Sequence, residues 1–149
     1  MSEVRDVIAL PLPAAQAQQR IAAFLRQKRQ VPLRVPLNAF GLPDTLALER
    51  DVVIEAQIAR DSENINDEIA ISWQPTGHGP YPDFTGRLIV WSEETPAISY
   101  VELAGTYSVP LGNLGLAFDS TIGYLIAHAT IHEFLLYLHD AVTGAVQTV

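Results

Sequence analysis

Cysteine is missing from this chain of 149 residues. That excludes disulfides, thiolate metal sites and a cysteine nucleophile together. Basic residues are scarce: Lys+Arg 9 against Asp+Glu 17 leaves a formal net charge of -8. A polyanion is repelled by such a surface and no basic run exists to follow phosphates, so nucleic acid is not an expected partner. A run of roughly eighteen apolar residues, the length of a membrane span, is absent as well. The stretch from Met1 to Asp6 is charged where a secretory signal has its apolar core. These absences lead us to expect a cytoplasmic protein with no membrane span. No nucleophile elbow, phosphate-binding glycine loop or dinucleotide fingerprint occurs, which removes the commonest hydrolase, nucleotide and oxidoreductase signatures. Charge of either sign is thin: 17% charged against 48% hydrophobic, low for a soluble monomer. Some apolar surface is therefore expected to meet a partner or line a cavity. The length suits one domain, spanning 1–149, with a sizeable core.

Val7 to Leu12 has the composition of a short strand, stopped by Pro11 and Pro13, and Pro13 suits the first turn of a following helix. Ala14, Ala17, Ile21, Phe24 and Leu25 recur at helical spacing with glutamines and arginines between them, predicting an amphipathic helix of about sixteen residues. Val31 to Pro43, with three prolines and a glycine, reads as an extended, turning connection. Leu46, Leu48, Val52, Ile54, Ala56 and Ile58 alternate with polar residues, which predicts a half-buried strand or a hairpin pair. Arg50 interrupts the row, so Glu49 to Asp51 is read as a turn or bulge, with Arg50 pointing into a polar spot as the alternative. After a polar turn at Asp61 to Asn64, Ile65, Ile69, Ile71 and Trp73 mark the next strand of a meander. A rigid loop over Pro75 to Pro82 leads to strands over Phe84 to Trp91 and Ile98 to Tyr107, separated by a turn at Ser92 to Pro96.

A helix from about Leu116 to Asp140 is roughly 37 Å long, which matches a strand of roughly eleven residues. One helix can thus lie along a whole curved sheet. The order of strand, helix, several antiparallel strands and long helix is α+β. The expected architecture is an antiparallel curved sheet wrapped around the long C-terminal helix, with one shorter N-terminal helix after the first strand. The space between helix and sheet is either a solid core or a pocket for an apolar molecule.

Several side chains are candidates for chemistry. His128 and His132 are four apart on the long helix, about 6 Å between neighbouring positions, which is chelating distance. His139 is too far along the axis to join them, and no glutamate sits inside the pair as a zincin requires. A polar border of the helix, or a subunit contact, is the preferred reading, and no metal or cofactor is expected. Phe118, Ile122, Leu125, Ile126, Ala129 and Leu136 form one apolar stripe, with Ile131, Phe134 and Leu138 nearly opposite. The second stripe must meet another element, a ligand or another subunit, which makes a homodimer one expectation. Trp73, Phe84, Trp91, Tyr100 and Tyr107 are strand aromatics suited to core packing or to cavity lining. Glu102 is sent by strand alternation to the face opposite Val101 and Leu103, toward solvent, and Asp119 fits a helix cap. His78, Tyr81 and Asp83 in the proline-rich loop are either turn formers or an acid-base pair at a pocket mouth.

The segments 82–86 and 100–107, then Pro110, Gly112 and Gly115 before a helix with Ala127, Ala129 and Thr130, are similar to a group of bacterial proteins without assigned function. Together with the element order, they resemble the START/Bet v 1-like (SRPBCC) superfamily of helix-grip proteins. The resemblance implies a cavity for lipids, sterols, polyketides or other apolar molecules, and in some branches cyclisation or dehydration. It supplies no catalytic residues. Two features depart from it: the first strand is interrupted by proline, and the segment Val31 to Pro43 stands where a second short helix is usual.

The leading expectation is a binder of a small apolar or amphipathic molecule. Its cavity would be lined by Trp73, Phe84, Leu103, Tyr107, Ile122, Ile126 and Ala129, with His132 at the site. The alternatives are a cyclase- or dehydratase-like enzyme in which His132 moves a proton, and a homodimeric module whose cavity is filled by its own side chains.

Overall fold

The structure is a computed structural model describing residues 2–35, 48–58, 68–75, 83–108 and 120–144. Elements follow as β1 (Ser2–Leu10), α1 (Ala14–Gln27), β2 (Gln30–Val35), β3 (Leu48–Ile58), β4 (Glu68–Pro75), β5 (Asp83–Ser92), β6 (Ser99–Ser108) and α2 (Ser120–Thr143). Among the described residues the strands form a six-stranded sheet in the order β1-β6-β5-β4-β3-β2. Every pairing is antiparallel.

The contacts of α2 define the architecture. It packs against β1 and β2, the two opposite margins of the sheet, as well as against β6 and α1. A flat sheet of this width cannot bring both margins to one helix, so the sheet is curled around α2. At about 1.5 Å per residue the 24 residues of α2 span about 36 Å. Helix α1 closes the interior from another side, touching β3, β5, β6 and α2. It is fastened to α2 by Arg20 Nη1, which donates to the Val142 carbonyl at 2.8 Å. That carbonyl lies in the last turn of α2, where a cation is favoured by the negative end of the helix dipole. Phe24 and Tyr137 meet across the same contact with ring centroids 5.9 Å apart.

Strand alternation decides which residues enter the interior. Ile69, Ile71 and Trp73 of β4, Phe84, Leu88 and Val90 of β5, and Val101, Leu103 and Tyr107 of β6 are buried on the concave face. Side chains such as Leu88, Leu103 and Ile126, fully withdrawn from water, each contribute about 1.5–3 kcal/mol relative to exposure. The polar partners of this alternation lie outside: Glu102 pairs with Arg5, and Arg87 with Glu68. Trp91 and Tyr100 stack on one another with centroids 5.8 Å apart, and alternation puts them on that same outer face.

Several expectations are corrected. β1 begins at Ser2 rather than Val7 and ends before Pro11, because Glu3 and Arg5 occupy outward positions while Val4 is buried. The proline interruption and short first strand are therefore not features of the fold. The segment read as a connection from Val31 contains β2, where Pro32 sits opposite Asp51. Proline is tolerated there because β2 is a marginal strand and one side of it makes no ladder bonds. Glu49 to Asp51 is no turn: β3 runs unbroken and pairs with β2 through those residues. The bend at Ser92 to Pro96 follows β5, with Ile98 N donating to the Thr95 carbonyl at 3.1 Å. The expected turn at Asp61 to Asn64, most of the loop Pro75 to Pro82, and the helix start from Leu116 to Asp119 lie outside the described residues.

The two stripes of α2 are also rearranged. Ile126, Ala127, Thr130, Ile131, Phe134, Leu135, Leu138 and Val142 are buried, while Leu125 and Leu136 are exposed. At about 100° per residue the buried set covers roughly half the circumference. The stripe of Ile131, Phe134 and Leu138, expected to meet another element, a ligand or another subunit, is buried in one core cluster with residues of the sheet and α1. Among the described residues no helix is long and apolar enough to cross a membrane.

Candidate functional site

Register assembles the concave wall in rows that run across the strands. Trp73 is opposite Phe84, and Phe84 opposite Tyr107, so three neighbouring strands each present one aromatic ring. The next row holds Ile71, Gly86, Gly105 and Val4; the one after holds Ile69, Leu88, Leu103 and Asp6. Two adjacent glycines leave a depression in the wall. The Phe84 ring leans into it: a Cβ built on Gly86 falls 2.6 Å from Phe84 Cζ, and one built on Gly105 falls 2.9 Å away. Either Cβ also runs into backbone, the Ala104 carbonyl from Gly86 and the Thr85 carbonyl from Gly105. These glycines are required by space, not by backbone angle.

Trp73 is stacked on Phe84, with ring centroids 4.5 Å apart and 26° between planes. From the helix side Phe134 meets Trp73 with centroids 5.0 Å apart and 34° between planes. Sheet and α2 are thus joined through aromatic rings. Trp73 is 1% exposed, yet its indole Nε1 has no hydrogen-bond partner. A buried donor left without an acceptor costs about 1–3 kcal/mol. Among the described residues the buried polar side chains are Ser99 and Thr130. Thr130 is satisfied, its Oγ1 donating to the Ile126 carbonyl at 2.7 Å. Ser99 Oγ lacks a partner too, at the opposite end of β6 from Tyr107.

The histidines occupy a different place. Asp6, on the sheet margin, is directed at α2, where its Oδ2 accepts from His132 Nδ1 at 2.6 Å and its Oδ1 lies 3.8 Å from His128 Nε2. A carboxylate can only accept here, so His132 carries its proton on Nδ1. The His132 side chain is 47% exposed. It stands on the side of α2 away from Phe134, by the helical turn angle. His128 stacks on Tyr124, centroids 6.0 Å apart, and His139 bonds its neighbour Asp140. The polar border expected of these histidines is a contact with β1.

Of the expected lining residues, Trp73, Phe84, Leu103, Tyr107 and Ile126 are buried in one core cluster, and Ala129 is partly buried against it. Ile122 belongs to α2, but its side chain lies outside the described residues. His132 is near Asp6 rather than among the rings. His78 and Tyr81 lie outside the described residues, and Asp83 is exposed at the start of β5. Asp6 is not among the sequence-based candidates, and Phe134 is one only as a member of the second apolar stripe. The alternation of Val4, Asp6 and Ile8 is the signal that would have found Asp6, once the strand is begun at Ser2.

An open groove of about 550 Å³ lies over β1, β6 and β5, lined by Glu3, Arg5, Thr85, Arg87, Thr106 and Tyr124 among others. Both its arginines are paired with glutamates. It mixes charge signs, and its lining also includes Val4, Gly86 and Gly105 of the glycine row.

Two sheet margins on one long helix, with a second helix closing the interior, decide the comparison with known structures. This is the START/Bet v 1-like helix-grip fold. A START superfamily protein from Mycobacterium smegmatis superposes with a TM-score of 0.57 at 10% identity, covering 97% of this chain and 99% of that one. Ara h 8.0201, a Bet v 1 allergen, gives 0.51 at 11% identity with 97% of each chain covered. DynU16, from the dynemicin biosynthetic locus, gives 0.51 at 15% identity, with 97% of this chain matched to 48% of that one. At such identities the likeness is one of fold. No protein-family model matches the sequence, and no curated protein matches it either.

Proposed function

We propose that this helix-grip protein binds a small apolar or amphipathic molecule between the concave face of the sheet and α2. The reading rests on one observation: the concave wall presents an aromatic row, Trp73, Phe84 and Tyr107, beneath a helix held at both sheet margins. Large rigid rings with a few polar atoms are the usual lining of small-molecule sites. Leu103, Ile122, Ile126 and Ala129 complete the proposed lining, and Phe134 is added to it. His132, bonded to Asp6, stands at the rim on the β1 side.

Native mass spectrometry of protein purified without detergent tests the reading. A small molecule retained under native conditions and released on denaturation is the expected result. An empty, strictly dimeric species would favour the interaction module, with exposed Leu125 and Leu136 of α2 as its contact. Should a turnover assay reveal catalysis, loss of turnover with retained binding in His132→Ala would assign the proton-moving role to that residue.

A further inference from the structure

We propose that the molecule held between sheet and helix presents a carbonyl or ether oxygen to Trp73 Nε1; the inference rests on the binding reading above. An indole nitrogen only donates, so its partner must be an acceptor. Trp73 is fully buried, on the concave face, between Phe84 of the sheet and Phe134 of α2. Its donor is nevertheless unsatisfied. The same ring packing could be achieved by phenylalanine, which carries no donor. The indole nitrogen therefore adds a polar demand that nothing in its described surroundings meets.

The described ring neighbours of the indole, Phe84 and Phe134, carry no charge. The side chains of Arg34 and Arg50 lie outside those described; among the described side chains no Lys, Arg or His is buried, and the buried polar ones are a serine and a threonine. Arg5 and Arg87 pair with Glu102 and Glu68 on the outer face, and His132 is bonded to Asp6. A carboxylate brought to Trp73 would exchange its hydration for one N–H and no described countercharge, which is strongly unfavourable. A neutral oxygen acceptor needs only the one donor on offer.

Three probes of one ring system separate the possibilities: 2-acetylnaphthalene, 2-ethylnaphthalene and 2-naphthoate. Their dissociation constants are measured with the full chain and with Trp73→Phe, which keeps the aromatic packing and deletes the donor. The preference for the ketone over the hydrocarbon is expected to fall about 5–10-fold in the variant, the loss of one buried hydrogen bond. A second readout needs no substitution at the site. With Trp91→Phe simplifying the spectrum, the remaining indole N–H resonance should move downfield with the ketone and not with the hydrocarbon. Binding of ketone and hydrocarbon with an unchanged preference, or with the indole resonance unmoved, overturns this inference and leaves the binding reading standing. Tightest binding by naphthoate overturns it in favour of an anion site. If none of the three binds and the purified protein is empty, both the reading and the inference fall.

Discussion

Helix α2 meets the rest of the molecule along two seams of opposite character. At the centre it sets Phe134 against Trp73, which is itself stacked on Phe84, dry and aromatic. At the β1 margin it sets His128 and His132 against Asp6, with both imidazoles substantially exposed. The contrast teaches that the strongest-looking polar contact is not what holds the helix. A short hydrogen bond in partial contact with water contributes little, because water competes for both partners. Weak dispersion contacts summed over buried rings contribute far more. The central seam is therefore expected to hold α2 more firmly than the histidine–aspartate contact does.

Substitutions ranked by effect put numbers on that contrast. Phe134→Ala should destabilise the protein by about 3–5 kcal/mol through lost contacts and the cavity left behind, seen as a lower urea midpoint. An effect below about 1 kcal/mol would mean that the ring is not bearing on Trp73. Gly86→Ala introduces a methyl group where the Ala104 carbonyl and the Phe84 ring already lie. A loss of about 2–3 kcal/mol is expected, within the range of overpacked cores, and Gly105→Ala should match it. Wild-type stability in either variant would show that the rows can spread. Trp73→Phe is expected to cost only about 1 kcal/mol in the empty protein, since it removes an unsatisfied donor along with some volume. Asp6→Asn should change stability by less than about 1 kcal/mol, and the difference should shrink further in high salt. A change rivalling that of Phe134→Ala would reverse the ranking of the two seams.

Much of the sheet was legible because its code is local. Ile69, Ile71 and Trp73 are spaced by two, and burial of all three follows directly. Legibility failed where position in the sheet, and not local sequence, decides. Pro32 reads as a strand breaker until β2 is known to be marginal, and Arg50 reads as a break until β2 is known to pair there. On α2 the wheel grouped Ile126 with Leu125 and Leu136, yet Ile126 is buried and the two leucines are exposed, because what is covered depends on how far the sheet curls. Trp73, Phe84 and Tyr107 are recognisable as aromatics on strands, but their alignment in one row requires the register. Asp6 and His132 are 126 positions apart, and nothing in either neighbourhood points to the other.

The placement of β1 has a consequence for assembly. Its hydrogen-bonding partner is β6 and its packing partner is α2, so the earliest strand of the described chain is completed by the latest elements. Closing so long a loop must precede the contacts that reward it, which slows folding relative to chains built from neighbouring contacts. On the ribosome β1 must wait, unpaired, until most of the polypeptide has emerged, and that interval is when a chaperone would find it.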